Sequence, residues 1–307
     1  MSELLPPELE HRIFTLAASS RPASIPRLCL VAWRVQEWTE PLLYRTLVVN
    51  QKHVIEELPS ISLAQLEHIL RSKPPDFINN NVHNLYYRRV SDDKGRASAV
   101  IAACKNLRNL FFLCSIGAPA PEAHGFPPLR HLYCHLKYFF VDGTIVAMGM
   151  LATLTHLELF TGFPDDETFA ADSAHRDLVL TLGSLPSLTH LAVDWEMSTT
   201  GLKHLLAIPL SETKIRTVVV LCISYSSSED ILAELQCAEL DSDPRVVLMP
   251  LVHYGRDWQY GALFGEDYWA YAEEEAVGPS GDREFVRIRW SVVQRGSTNG
   301  QRSGVKS

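Results

Sequence analysis

Apolar residues in the first 49 positions recur at helical spacing. Leu9, Ile13, Leu16 and Ala17 fall at i, i+4, i+7 and i+8, which places them on one face of a helix. Two prolines precede this stripe, and proline suits the first turn of a helix, where its missing N–H has no partner. The segment therefore predicts an amphipathic helix with one apolar face.

A second helix is predicted over residues 25–37. Ser24 is a plausible N-cap for it, because its side chain can accept a hydrogen bond from the first turn. Its apolar residues fall on two faces, with Leu28, Val31, Val35 and Trp38 on one and Leu30 and Trp33 on the other. This helix is expected to have two neighbours. After Pro41 we expect a short turn at 42–44 and a strand at 46–49.

A six-residue pattern of the form L-x-x-L-x-L then recurs in the middle of the chain. It occupies residues 82–87, 107–112, 129–134, 154–159, 188–193 and 215–220. The spacings between first positions are 25, 22, 25, 34 and 27 residues. Most of these fall within the roughly 20–29 residues of a leucine-rich repeat, which the pattern resembles. The longest interval contains an insertion at 163–173.

Each repeat predicts a short strand whose leucines turn inward, so that stacking builds a parallel sheet along a concave side. Parallel strands need crossover connections, which are usually helices. The predicted return helices are 97–104, 143–152, 177–182, 201–207 and 228–235. The predicted fold class is α/β: a helical head followed by an irregular leucine-rich-repeat-like solenoid with a parallel concave sheet and outer helices.

The flanking segments complete the predicted domain organisation. A helix at 63–71 ends before Pro74 and Pro75, and 245–249 predicts one more strand. A helix at 260–276, rich in Trp, Tyr and Glu, is expected to cap the last repeat, because a solenoid must cover its apolar end. A final strand is predicted at 285–290. The predicted units are 1–49 head, 50–81 connecting helix and linker, 82–250 repeats, 251–294 C-terminal cap and 295–307 disordered tail.

Composition narrows the class of partner. The formal net charge of −8 and the absence of a basic run argue against nucleic acid, because phosphate binding requires a cationic face. No apolar run approaches the ~20 residues that span a bilayer, and the acidic start differs from a signal peptide. The six cysteines are widely scattered, which is typical of reduced, buried thiols. We expect a cytoplasmic or nuclear protein that has no membrane partner.

No catalytic or cofactor-binding motif is recognisable. The sequence contains no nucleophile elbow, phosphate-binding loop, dinucleotide fingerprint or H-E-x-x-H motif. The acidic runs 165–167 and 273–275 are more typical of solvated faces than of sites. We expect neither a cofactor nor catalytic residues. A hydrolase that uses scattered His, Asp and Ser is a remote alternative.

Three histidines occupy the same position in successive repeats: His131, His156 and His190. Adjacent strands lie ~4.8 Å apart, so the imidazoles should form a ladder whose members lower one another's pKa by mutual repulsion. A straight ladder suits tetrahedral zinc poorly, so a polar recognition surface is predicted and no metal site. The candidate partner-binding concave face comprises His131, Tyr133, His135, His156, Glu158, Phe160, His190 and Asp194.

The head carries a family resemblance. Leu-Pro-Pro-Glu-Leu at 5–9, Ile13-Phe14, Leu-Cys-Leu-Val-Ala-Trp at 28–33 and the segment 38–45 resemble an F-box, as found in F-box-like proteins abundant in mushroom-forming fungi. The resemblance implies a three-helix motif that binds the Skp-type linker subunit of a cullin–RING ubiquitin ligase. The positions implied to bind the linker are Leu5, Pro6, Leu9, Ile13, Phe14 and Leu16, with Val31 and Trp33 as further candidates.

The function that the resemblance implies is a substrate-recognition adaptor of an SCF-type ligase. The head would bind the linker, the concave sheet would bind an unknown protein substrate, and transfer chemistry would belong to other subunits. The alternative is a ligase-independent repeat module, in which the head is only a cap and its apolar residues pack inside the body.

Overall fold

The structure is a computed structural model. It describes residues 5–49, 58, 60–88, 94–113, 127–135, 140–141, 144–145, 151–160, 173–194, 199–223, 233, 235–237, 239–240, 242–251 and 254–277. The acidic run 165–167, nearly all of the insertion, the predicted strand 285–290 and the tail 295–307 lie outside these residues.

Three helices and a 3₁₀ turn form the head. Helix α1 is Pro7–Ser20, the 3₁₀ turn is Pro22–Ser24, α2 is Ile25–Leu28 and α3 is Trp33–Tyr44. The prediction of one helix over 25–37 is wrong. Hydrogen bonds from Leu30 N to Arg27 O and from Val31 N to Leu28 O tighten the last turn of α2, and Ala32 is extended. Pro41 lies inside α3, so residues 42–44 are helical and do not form the predicted short turn.

The sheet begins within the predicted head. Strand β1, Thr46–Val49, matches its prediction and pairs with β2, Ser60–Ile61. Helix α4, Leu63–Ser72, follows a capping box in which Ser62 accepts from Gln65 N and Gln65 accepts from Ser62 N. Helix α5, Pro75–Asn81, was not predicted; proline at its first position ends α4 and starts α5. The head and the sheet are therefore continuous, and the predicted boundaries at 49 and 82 do not mark where the sheet starts.

All six repeat motifs form strands at the predicted positions. The strands after β2 are β3 (Asn84–Arg88), β4 (Asn109–Leu113), β5 (His131–Cys134), β6 (Phe140–Val141), β7 (Thr144–Ile145), β8 (His156–Leu159), β9 (His190–Asp194), β10 (Thr217–Ile223) and β11 (Val246–Leu251). Across the described ranges, nine of these strands form one parallel sheet in the order β2-β1-β3-β4-β5-β8-β9-β10-β11. The α/β class with a parallel sheet is confirmed.

The repeat motifs share one register. Equivalent motif positions pair directly from strand to strand, which puts Asn84, Asn109, His131, His156, His190 and Thr217 in a single row. The residues two positions later form a second row on the same face, consisting of Tyr86, Phe111, Tyr133, Glu158, Ala192 and Val219.

Helices connect several of the strands, as predicted. They are α6 (Lys94–Ala103), α7 (Ser173–Ser184) and α8 (Thr199–Leu206). The predicted helix at 143–152 is wrong at its start, where β6 and β7 form an antiparallel hairpin. The predicted helix at 228–235 falls mostly outside the described residues. The motif leucines and these helices share one core, which includes Leu85, Leu110, Leu157, Leu178 and Leu202.

The other face of the sheet has its own core. Helix α9, Tyr254–Phe264, and helix α10, Tyr268–Val277, lie against it. The sequence predicts one helix here, but Gly265 has a φ of 73° and ends α9. In the segment predicted to cap the last repeat, α10 contacts β10 and β11, whereas α9 reaches back to β3, where Asn84 donates to the carbonyl oxygen of Ala262 at 3.3 Å. Both faces of the sheet are therefore covered.

None of the helices that the structure describes combines the length and apolar character needed to cross a lipid bilayer.

Candidate functional site

The apolar stripe of α1 faces solvent. Leu5, Leu9, Ile13 and Leu16, named here the head stripe, are 53%, 47%, 51% and 66% exposed. Pro6 is also exposed, whereas Phe14 is only partly so. Of the residues predicted to bind a linker, five therefore lie open on the surface and one turns partly inward. These five side chains are therefore accessible from solvent.

A second group of exposed apolar side chains follows α2. Leu30, Val31 and Trp33 are 86%, 59% and 73% exposed. They are open because the chain turns between α2 and α3 instead of continuing as one helix. Leu30 and Trp33 were predicted to contact a neighbouring element, but both side chains are exposed.

These two groups lie on adjacent elements. Arg34 of α3 donates to Glu10 of α1 in a bidentate pair, with Nε to Oε2 at 2.8 Å and Nη2 to Oε1 at 3.1 Å. Interaction with Glu10 also raises the pKa of Arg34. Because Arg34 directly follows Trp33, this pair joins the start of α3 to the first turn of α1.

A different set of residues holds the head together and attaches it to the body. Ala18, Ile25 and Val35, which are 0–1% exposed, lie on the three head helices, which pack on one another. Lys73 at the end of α4 donates to Glu40 at 2.6 Å, and its ammonium group lies 5.4 Å from the ring centre of Tyr44. The interaction with Glu40 raises the pKa of Lys73. The contacts that hold the head are therefore made without the exposed stripe.

The predicted concave face is covered by the C-terminal helices. Trp258 Nε1 donates to Asn109 Oδ1 at 2.8 Å, the Tyr268 hydroxyl donates to Glu158 Oε2 at 2.6 Å, and Trp269 Nε1 donates to the Tyr133 hydroxyl at 3.0 Å. We name the sheet surface beneath α9 and α10 the covered face. Each of these three side chains on the face therefore accepts a hydrogen bond from α9 or α10.

The expectation that this face is exposed to a partner is therefore wrong. Tyr133, Glu158, His190 and Asp194 are buried, at 2%, 1%, 9% and 7% exposure. His131, His135, His156 and Phe160 are partly buried. The alternating strand pattern identified the residues that share this face, but α9 and α10, and not a partner, cover it.

The histidine ladder, formed by His131, His156 and His190, exists as predicted. The ring centres of His131 and His156 are 4.1 Å apart, and those of His156 and His190 are 4.2 Å apart with planes 2° from parallel. Trp269 meets the ring of His156 edge-on at 5.1 Å. The ladder is packed under α10 and does not face solvent.

The predicted direction of the ladder's pKa shifts is confirmed, but burial is the main cause. Burial, reinforced by the neighbouring imidazoles, lowers the pKa of His131 to about 4 and that of His156 to about 2. Burial also lowers the pKa of His190, although Glu273 opposes this effect. The buried ladder is therefore neutral near pH 7.

Acidic groups also lie at this interface, where Glu158 and Asp267 are buried and Asp257 is partly buried. Burial raises the pKa of Asp257 to about 8, with a further contribution from nearby Asp267 and an opposing hydrogen bond from Tyr268 N. Burial likewise raises the pKa values of Glu158 and Asp267. These carboxyl groups lie between the sheet and the helices α9 and α10.

Glu273 is a residue that sequence reasoning missed. The acidic run 273–275 is predicted as a solvated face, yet Glu273 Oε1 lies 3.2 Å from His190 Nε2. The sequence predicted a helix over 260–276, but nothing in it indicated that this helix packs against the strand that carries His190.

No protein-family model matches the sequence, and no curated protein compared with it matches either.

Proposed function

We propose that this protein is a substrate-recognition adaptor of a cullin–RING ubiquitin ligase, whose head binds the Skp-type linker subunit. The observation that carries the proposal is the outward orientation of the head stripe. These are the positions at which the F-box resemblance implies linker contact. The adaptor would act in the cytoplasm or nucleus, where such ligases assemble.

The distribution of exposed apolar side chains supports this proposal. Over the ranges that the structure describes, seven of the eleven large apolar side chains that are exposed lie between Leu5 and Trp33. Isolated exposed apolar residues are ordinary, but a concentration of them marks an interaction surface. Burying one such side chain contributes about 1.5–3 kcal/mol, so a partner that covers several of them gains a substantial driving force.

The alternative role of the head as a purely structural cap has less support. A cap would bury its apolar stripe against the body, whereas Ile13 and Leu16 point away from it. The buried side chains of the head include Ala18, Ile25 and Val35 instead, and Lys73 outside the head donates to Glu40. The stripe is therefore available to a partner while the head stays attached.

We also infer that the body is a degenerate leucine-rich-repeat solenoid. Support comes from the shared register of the six motif strands and from their consecutive order in the sheet. The protein substrate would bind a surface other than the covered face, and ubiquitin transfer would be carried out by other subunits of the ligase.

The experiment uses the full chain and a purified Skp-type linker, with affinity measured by calorimetry. The double variant Ile13→Asp/Leu16→Asp places two charges in the proposed interface. If these side chains are binding hot spots, affinity should fall by more than about thirtyfold, since a hot spot contributes about 2 kcal/mol or more. Leu180→Asp is the matched control, because Leu180 is 60% exposed on α7, outside the head.

The control should bind the linker as the wild type does, and all three proteins should unfold at similar temperatures, because exposed substitutions usually change stability by less than about 0.5 kcal/mol. A wild-type protein that does not bind the linker would overturn the proposal. So would a double variant that binds with unchanged affinity.

A further inference from the structure

Three potential metal ligands converge at the interface between the histidine ladder and α10. One ligand atom from each of His156, His190 and Glu273 lies within 4.8 Å of the other two. The histidines belong to adjacent strands β8 and β9, and the glutamate comes from the helix that crosses them. The site is therefore assembled from three elements that are distant in sequence.

Both histidine rings are oriented by a threonine. The Thr155 hydroxyl donates to the carbonyl oxygen of Arg130 at 3.0 Å, and its oxygen lies 2.9 Å from Nδ1 of His156. The Thr189 hydroxyl donates to the carbonyl oxygen of Thr155 at 3.1 Å, and its oxygen lies 2.8 Å from Nδ1 of His190. Each hydroxyl has one proton, so its oxygen is left to accept from Nδ1–H.

This pattern assigns the proton of each neutral ring to Nδ1 and a lone pair to Nε2. Histidine ligands in metal sites are held in the same way, with the non-ligating nitrogen donating to a neighbouring oxygen. In His190 the lone pair of Nε2 then faces Glu273 Oε1 at 3.2 Å. Two lone pairs at this distance repel each other unless a cation lies between them.

The separation itself fits a shared metal ion. Two ligands ~2.0–2.1 Å from zinc at a tetrahedral angle lie about 3.3 Å apart, close to the distance between His190 and Glu273. The His156 ring, now parallel to that of His190, must turn so that its ligand atom comes closer to the other two. Ligand atoms within 4.8 Å place this movement within reach of a side-chain rotation.

We propose that His156, His190 and Glu273 bind one Zn²⁺ ion, which joins β8 and β9 to α10. Two imidazoles and one carboxylate suit zinc, whereas calcium and magnesium favour sites composed of oxygen ligands. Three protein ligands leave a fourth position for water. The Glu273 side chain is 57% exposed, so the ion has a path from solvent.

A third histidine of the ladder supports the site from the other side. His131 stacks on His156 with ring centres 4.1 Å apart, away from Glu273. The expectation of no metal rested on the collinear ladder, which lacks a third ligand off its axis. Helix α10 supplies that ligand. This inference is independent of ligase assembly.

The test measures zinc binding to the untagged full chain by calorimetry and by metal analysis after dialysis. We expect one zinc ion per chain and a rise in unfolding temperature with added zinc, because a ligand that binds only the folded state stabilises it. Cobalt(II) in place of zinc should give the visible absorption of a four-coordinate ion. Glu273→Gln should lower zinc affinity by more than about tenfold.

The matched control is Glu274→Gln, which removes the neighbouring exposed carboxylate of α10 and should leave zinc affinity unchanged. Thr189→Val tests the orienting role and should weaken zinc binding by about 10–100-fold. A wild-type chain that binds no zinc would overturn the proposal, with Nε2–H of His190 then donating to Glu273 as an ordinary hydrogen bond. Equal zinc affinity of Glu273→Gln and the wild type would also overturn it.

Discussion

The head stripe and the covered face show opposite outcomes of the same kind of sequence pattern. On α1, apolar residues at helical spacing would ordinarily face a core, yet Leu16 is 66% exposed. On the sheet, a mixed aromatic and polar row was expected to face solvent, yet Glu158 is 1% exposed. Periodicity identifies which residues share a face. It does not identify what, if anything, packs against that face.

Replacing a tryptophan with alanine in each of the two regions tests this comparison. Trp258 is 1% exposed on the covered face, and Trp33 is 73% exposed on the head. Trp258→Ala should lower the free energy of unfolding by about 3–5 kcal/mol, because it opens a cavity in the second core. It also removes the indole N–H that donates to Asn109.

Trp33→Ala should change the same quantity by less than about 0.5 kcal/mol. Chemical denaturation of both variants measures the difference. If the two substitutions cost similar amounts, the head and the covered face would not differ in burial as described.

The acidic groups of the covered face predict how stability depends on pH. The pKa of Asp257 is raised to about 8, so this carboxyl group stays protonated in the folded protein over pH values where it is ionised in the unfolded chain. Its contribution to stability is therefore full at acid pH and is lost as pH rises toward 8. The loss approaches about 1.4 kcal/mol per pH unit and ends above the folded pKa.

Asp257→Asn should remove this contribution, so that its unfolding free energy falls less steeply than that of the wild type between pH 6.5 and 8. Glu158 and Asp267, which face the same interface, act in the same direction in both proteins because their pKa values are also raised. Below that pH range the ladder histidines have the opposite effect. Because their pKa values are lowered in the folded protein, they make it more stable as pH rises. Identical pH profiles for wild type and variant would show that the pKa of Asp257 is not raised in the folded protein.

The repeat strands were predictable because each motif carries its own signal. In each motif the fourth and sixth residues point into the core on the helix side of the sheet. Because all six motifs have the same phase, they pair in one register. Leu110, Leu132 and Leu157 pair directly across their strands for this reason. Short-range patterns of this kind need no knowledge of the remainder of the chain.

The covered face could not be predicted because its partner is remote in sequence. Trp258 bonds to Asn109 across 149 positions, and Tyr268 bonds to Glu158 across 110. The aromatic residues of 254–277 predicted burial but did not specify the surface. The break in the predicted helix 25–37 was also missed. No glycine or proline marks the turn between Leu28 and Trp33.

Hydrogen exchange of the full chain, with and without a Skp-type linker, shows whether the head or the covered face binds the linker. The linker should add protection in α1 and at the turn before α3. The strands β5, β8 and β9, together with α9 and α10, should already exchange slowly in the free protein and stay unchanged. New protection confined to those strands and helices, with none in the head, would contradict the account.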